Sequence, residues 1–193
     1  MSVDWERLRN DMIADQNRFY LVLSGDKDFM ADEHIFVSVN GQVVAVRIGD
    51  LVDDFVTRLI SKRVEQGDEI LIVTGDNKGV DRMAEAYGTK HNYDVYIYEA
   101  HWDEYGNKAG YMRNEEMFYK VCTRKNKACI LFWDGENKST HNLIYLAETM
   151  GVRCKVYNYR RKSWLTQEEI KAVSIEEKRN QMRYVWRRRS NYG

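Results

Sequence analysis

Five short apolar-rich runs recur along the chain: Phe19 to Leu23, Glu69 to Val73, Asp94 to Tyr98, Lys127 to Trp133 and Arg153 to Tyr157. Each has the length of a strand. The run at 69 to 73 has no polar alternation and is rich in β-branched residues, the pattern of a strand buried on both faces. Between the runs the period changes to that of a helix. Val52, Phe55, Val56, Leu59 and Ile60 share one face of a helix predicted from about Asp50 to Gln66, with Gly67 as its stop. Val80, Met83, Ala84 and Tyr87 repeat at i, i+3, i+4, i+7. Arg113, Met117 and Val121 share a face of a helix predicted from Tyr111 to about Thr123. Leu143, Ile144, Ala147 and Met150 turn inward on another, which Gly151 ends.

Two stretches break this alternation. Phe36 to Val39 and Val43 to Val46 flank Asn40-Gly41, a strong hairpin signal, so an extra β-ribbon is predicted at about 35–48. Residues 3 to 16 carry a weak helical pattern of Val3, Leu8, Met12 and Ile13. The capping boxes Thr166-x-x-Glu169 and Ser174-x-x-Glu177 predict two short helices near the end. The expected fold is therefore α/β. It is a doubly wound, mostly parallel, five-stranded Rossmann-like sheet at 1–159 with the inserted hairpin, followed by a helical extension at 160–193.

In such sheets ligands bind beyond the carboxyl ends of the strands, and four loops fall there. The central strand runs into Gly75-Asp76-Asn77-Lys78-Gly79, whose glycines let amide N–H groups face a bound anion at a positive helix N-terminus. A plain tight turn, with Asp81 as a first-turn acid, satisfies the same residues. The first strand ends in Ser24-Gly25-Asp26-Lys27-Asp28-Phe29. The fourth ends in Asp134-Gly135, with Ser139 or Thr140 placed to cap a helix or to turn toward a phosphate. The loop from Glu99 to Gly110 leads to Arg113, expected at a pocket mouth because deeper burial would strand its charge, or else paired with Glu116 at i+3.

Composition narrows the classes. The chain of 193 residues has zero formal net charge, three cysteines and no apolar run near the ~20 residues that span a bilayer. With no secretory pattern at its start, a cytoplasmic protein without membrane contact is expected. Cys122, Cys129 and Cys154 lack metal-ligand spacing, and His34, His91, His101 and His141 never pair at it, so neither a metal site nor a cofactor is expected. From Arg160 onward ten Lys/Arg face four Glu, a net +6 that leaves −6 on the rest. Any general attraction for nucleic acid thus belongs to the tail, whose YVWRRRSNY interleaves aromatics with arginine. A helix docked on its own domain, or an interface between copies, is the more common role of such a tail.

The segments GDNKGVDRMAE (75–85), HWDEYGNKAGYMRNEEM (101–117) and FWDGENKSTHNLIYLAETMG (132–151) resemble, in order and spacing, the YspA-like branch of the SLOG superfamily, and SGDKDF (24–29) is similar to its first loop. The resemblance spans about residues 19–158 and excludes the hairpin and the tail. It implies a Rossmann-like fold that binds nucleotides or nucleotide-derived molecules. Relatives include sensor domains of antiviral defence systems and cytokinin-activating phosphoribohydrolases. It implies ligand contacts at Gly75, Gly79, Asp81, Gly135, Ser139 and Thr140, and the same strand-end loops add Ser24, Gly25, Asp28, Phe29, Asp76, Lys78 and Asp134 as candidate ligand contacts. Arg113, with Asn114, would lie on the phosphate.

Three positions depart from that pattern. Asp76 stands where the family pairs a second glycine, and Ser139 where Gly-Thr begins. An Asp76 carboxylate ~4 Å from a phosphate would cost about 4 kcal/mol at an effective dielectric of 20, so it must turn away or meet a ribose hydroxyl or a cation. Leu143 stands where the phosphoribohydrolases carry a Glu. The leading expectation is a protein that senses or sequesters a nucleotide-derived molecule. The alternative is an N-glycosidase or phosphoribohydrolase with Glu115, Glu116, Asp103 or His101 standing in for the absent carboxylate, and a second alternative is a nucleic-acid-associated protein acting through the basic tail. Self-association through the hairpin or the aromatic tail is also expected.

Overall fold

The computed structural model describes residues 16–190. The helix expected over 3 to 16 falls outside them apart from Gln16. Strand β1 (Arg18–Gly25) lies at the centre of the sheet, with Leu21, Val22 and Leu23 wholly buried. It pairs in parallel with β4 (Glu69–Thr74) on one side and β6 (Lys127–Trp133) on the other. Outside these lie β5 (Asp94–Ile97) and β7 (Cys154–Asn158), also parallel. A two-residue strand β8 (Ser163–Trp164) then turns back antiparallel on β7. The sheet thus has six strands in the order β5-β4-β1-β6-β7-β8. The sixth was not foreseen because two residues leave no period to read. Trp164 fixes it by packing on Phe55 and Tyr157, with ring centroids 5.3 Å from each.

Period-two alternation divides the core into two layers. Leu21, Leu23, Ile72 and Phe132 face helices α1 (Ile48–Glu65) and α2 (Val80–His91) through Val52, Val56, Val80 and Ala84. Val22, Val73, Leu131 and Val156 face α4 (Ala109–Cys122) and α5 (Lys138–Thr149) through Met117, Val121, Ile144 and Ala147. Cys129 and Cys154 are buried register partners within this layer. The predicted hairpin is present as β2 (His34–Val39) and β3 (Gln42–Arg47), an antiparallel sheet of its own. Asn40 adopts the left-handed conformation (φ 51°) that its turn requires.

Two expectations are corrected. The loop over 99 to 110 contains a one-turn helix α3 (Trp102–Tyr105) and a 3-10 turn (Gly106–Lys108), so α4 starts at Ala109 rather than Tyr111. The extension is one helix, α6 (Gln167–Ser190), not two. Its first capping box closes as predicted: Thr166 N–H donates to Glu169 Oε2 (2.7 Å) and Glu169 N–H to Thr166 Oγ1 (3.2 Å). The second box lies inside the helix, where its Ser174 is buried. Leu165 and Ile170 enter the core beside Val156, so the start of the extension is packed against the sheet domain.

Candidate functional site

Counting only the five parallel strands in chain order, their sequence across the sheet is 3-2-1-4-5, which reverses direction between β1 and β6. The loops after β1, β4 and β6 meet at this reversal, and two glycines allow the approach. A Cβ on Gly79 would lie 2.5 Å from the Asp26 carbonyl oxygen, which accepts the Val80 N–H. A Cβ on Gly25 would collide with the Phe132 carbonyl. Gly79 also takes φ 68°, a left-handed angle that a side chain would strain.

The buried guanidinium of Arg113 organises one half of the site. It is 3 % exposed, so it does not stand at a pocket mouth and does not pair with Glu116. Nη1 lies 2.9 Å from Asp76 Oδ1 and 3.6 Å from Asp81 Oδ2, and Nε donates to Asn114 Oδ1 at 3.0 Å. Asn114 Nδ2 in turn donates to Asn142 Oδ1 (3.1 Å). Two carboxylates compensate the buried cation, which is the condition under which such burial is tolerable. Asp76 therefore turns to Arg113 and also accepts the Ala100 N–H (3.1 Å), resolving the conflict its charge posed beside a phosphate. Gly75 is required here because a side chain would occupy the space of the guanidinium.

Asp81 is 1 % exposed and accepts from Ser24 Oγ (2.5 Å) and from the Asn77 N–H (3.1 Å). Burial pushes its carboxyl up, against the pull of Arg113 and the hydrogen bond from Ser24. It braces the 75–79 loop from behind.

The other half is built on Asp26, which the sequence reading passed over between Gly25 and Asp28. Asp26 is 2 % exposed. It accepts a hydrogen bond from Thr140 Oγ1 on one oxygen, and on the other the Asp134 N–H (2.7 Å) and the Tyr159 hydroxyl (2.9 Å). Burial raises its pKa to about 6, against the lowering effect of these three donors. Asp26 thus ties the ends of β1, β6 and β7 together. Burial also pushes Asp134 up, but the N–H groups of Glu136 and Asn137 and the Arg160 guanidinium outweigh it and hold that carboxyl below its usual range.

The two helix N-termini at this edge differ. Asn137, not Ser139 or Thr140, caps α5, and its Oδ1 takes the Ser139 and Thr140 N–H groups (3.0 and 3.2 Å). The Thr140 hydroxyl is spent on Asp26. At α2 the N-cap residue is Gly79, with no side-chain cap, and Lys78 stands exposed beside it. The start of α2 thus carries no side-chain cap, and its Val80 N–H donates to the Asp26 carbonyl (3.3 Å).

Of the remaining predicted residues, Gly135 (φ 99°) turns the loop against Asn158, and Asp28 is exposed. Phe29 is buried and stacks on Tyr159, centroids 4.2 Å apart. His101, Asp103, Glu115 and Glu116 are all exposed, and among the described residues none shares a hydrogen bond or ion pair with the Arg113 or Asp26 clusters. Leu143 is 2 % exposed within the core layer that faces α4 and α5, where a carboxylate would have no water. Asn142 and Tyr159 also escaped the sequence reading. The only signal for either was a polar residue next to an apolar stripe.

The fold and this edge define a Rossmann-like α/β protein with no helix among the described residues long and apolar enough to cross a membrane. In comparisons with known proteins, no family model, no curated protein and no solved structure matches the chain.

Proposed function

We propose that this protein binds a nucleotide-derived small molecule, as a sensor or sequestering domain, with the anionic part of the ligand at the N-terminus of α2. The observation that carries the reading is the convergence of the 24–29, 75–81 and 134–140 loops at the reversal of strand order, around a helix N-terminus that has no side-chain cap and is flanked by Lys78. The resemblance to the YspA-like branch of the SLOG superfamily supports the same ligand class. Arg113 then acts as the brace of the 75–79 loop, through Asp76 and Asp81, and not as the phosphate contact the resemblance implies.

Binding without turnover is favoured over glycosidic cleavage because Leu143 is core and the four substitute groups stand apart from both clusters. Thermal melting of the pure protein with a panel of nucleotides and ADP-ribose-type molecules tests this. Ligand at ~100 times its dissociation constant adds about 2.7 kcal/mol of stability. No stabilisation by any member would contradict the reading. Release of free base from any member would replace it with the hydrolase.

We propose in addition that the hairpin associates copies of the chain, since Phe36 and Val43 on it are 60 % and 73 % exposed. Light scattering at micromolar concentration would return a monomer if this is wrong.

A further inference from the structure

Beside the Asp26 cluster, the ends of β6 and β7 and the start of α6 border an open cleft of about 470 Å³. Its walls include Trp133, Leu165, Ala172 and Val173, a mainly apolar surface, together with Gly135 and the side chain of Asn158. Asn158 is 4 % exposed. Its Oδ1 accepts the Arg161 N–H (2.9 Å), while its amide Nδ2 lies against Gly135, on the wall of the cleft.

The charged residues at the rim neutralise one another. Arg160 bridges Asp134 and Glu136 at 3.1 and 3.0 Å, and Arg161 pairs with Glu169 at 2.8 Å. A cleft with an apolar floor, one buried amide and a self-compensated rim does not select for an ion. It suits a neutral, flat group that offers hydrogen-bond acceptors. Asp134 and Gly135 belong both to this cleft and to the loop after β6, so the cleft borders the strand-end edge.

We propose that this cleft holds the base-bearing half of the ligand, a neutral planar nitrogen heterocycle, and that Asn158 selects it by hydrogen bonding. The inference rests on the nucleotide reading of the strand-end loops and says on which side of that edge the base lies, beside the ends of β6 and β7. The hairpin and the 99–110 loop do not line this cleft.

Isotope-labelled protein titrated with adenosine, guanosine, cytidine and uridine, and separately with inorganic pyrophosphate, tests the assignment. At least one nucleoside is expected to shift the Trp133 indole N–H and the Asn158 side-chain amide. Ala172→Trp places a ring over the cleft from an exposed helix position. It is expected to weaken that nucleoside at least about tenfold while leaving the pyrophosphate response unchanged. If no nucleoside moves either signal, or if Ala172→Trp leaves the shifts intact, the assignment is overturned. Pyrophosphate shifts at 75–79 report on the anion seat alone, so their absence would count against the nucleotide reading and not against the cleft.

Discussion

Asp26 and Arg113 are both buried at the ligand edge, and their charges are handled in opposite ways. Arg113 has two carboxylates within reach, whereas Asp26 has three hydrogen-bond donors and no cation paired with it among the described residues. With a folded pKa of about 6 against an ordinary value of 3.8, the folded state holds a proton that the unfolded chain has lost between those values. Stability from this group is therefore full below pH ~4, falls as pH rises to about 6, and is level above, a loss of about 3 kcal/mol. Asp26→Asn can donate from its amide to Thr140 Oγ1 and accept from Asp134 N–H and Tyr159 with its oxygen. The variant should melt at or above the wild-type temperature at pH 7 and lack the slope between pH 4 and 6. An unchanged slope in melting experiments would show that Asp26 is not its source. At Gly75 a methyl group would collide with the Arg113 guanidinium, so Gly75→Ala is expected to cost about 1–3 kcal/mol in denaturant unfolding. Leu143→Glu, which restores the hydrolase carboxylate on paper, should destabilise by several kcal/mol and yield no glycosidase, as melting and a base-release assay would show.

At the scale of elements, the strands and amphipathic helices were legible because burial on one or both faces leaves a period in the sequence. Val52, Val56 and Ile60 in α1, or Leu143, Ile144 and Ala147 in α5, are buried as their spacing predicts. The misreadings occur where side-chain hydrogen bonds, not periodicity, decide. Asn137 rather than its Ser-Thr neighbours caps α5. The Ser174 capping box sits mid-helix because α6 continues through it, leaving its hydroxyl residue buried. The site was legible as loops but not as contacts. The glycine-bearing loops were found from the strand ends, yet Asp26, Asn142 and Tyr159 owe their roles to partners as far as 133 residues away, which no local pattern records. The start of α6 is structural. Ile170, 1 % exposed, anchors it in the core, so Ile170→Ala should cost about 2–5 kcal/mol in chemical denaturation, whereas a detachable tail would lose almost nothing.

Over the whole molecule, a sheet that reverses its strand order at β1 and β6 gathers three loops, one helix N-terminus without a side-chain cap and a neighbouring cleft along a single edge. The central claim is that this edge holds a nucleotide-derived molecule intact. Native mass spectrometry tests it most directly, using the purified protein incubated with nucleotides, NAD, ADP-ribose isomers and cyclic oligonucleotides. The account predicts an unmodified adduct, weakened by the exposed substitution Lys78→Glu at the N-terminus of α2. No adduct with any member, or an adduct indifferent to Lys78→Glu, would contradict it.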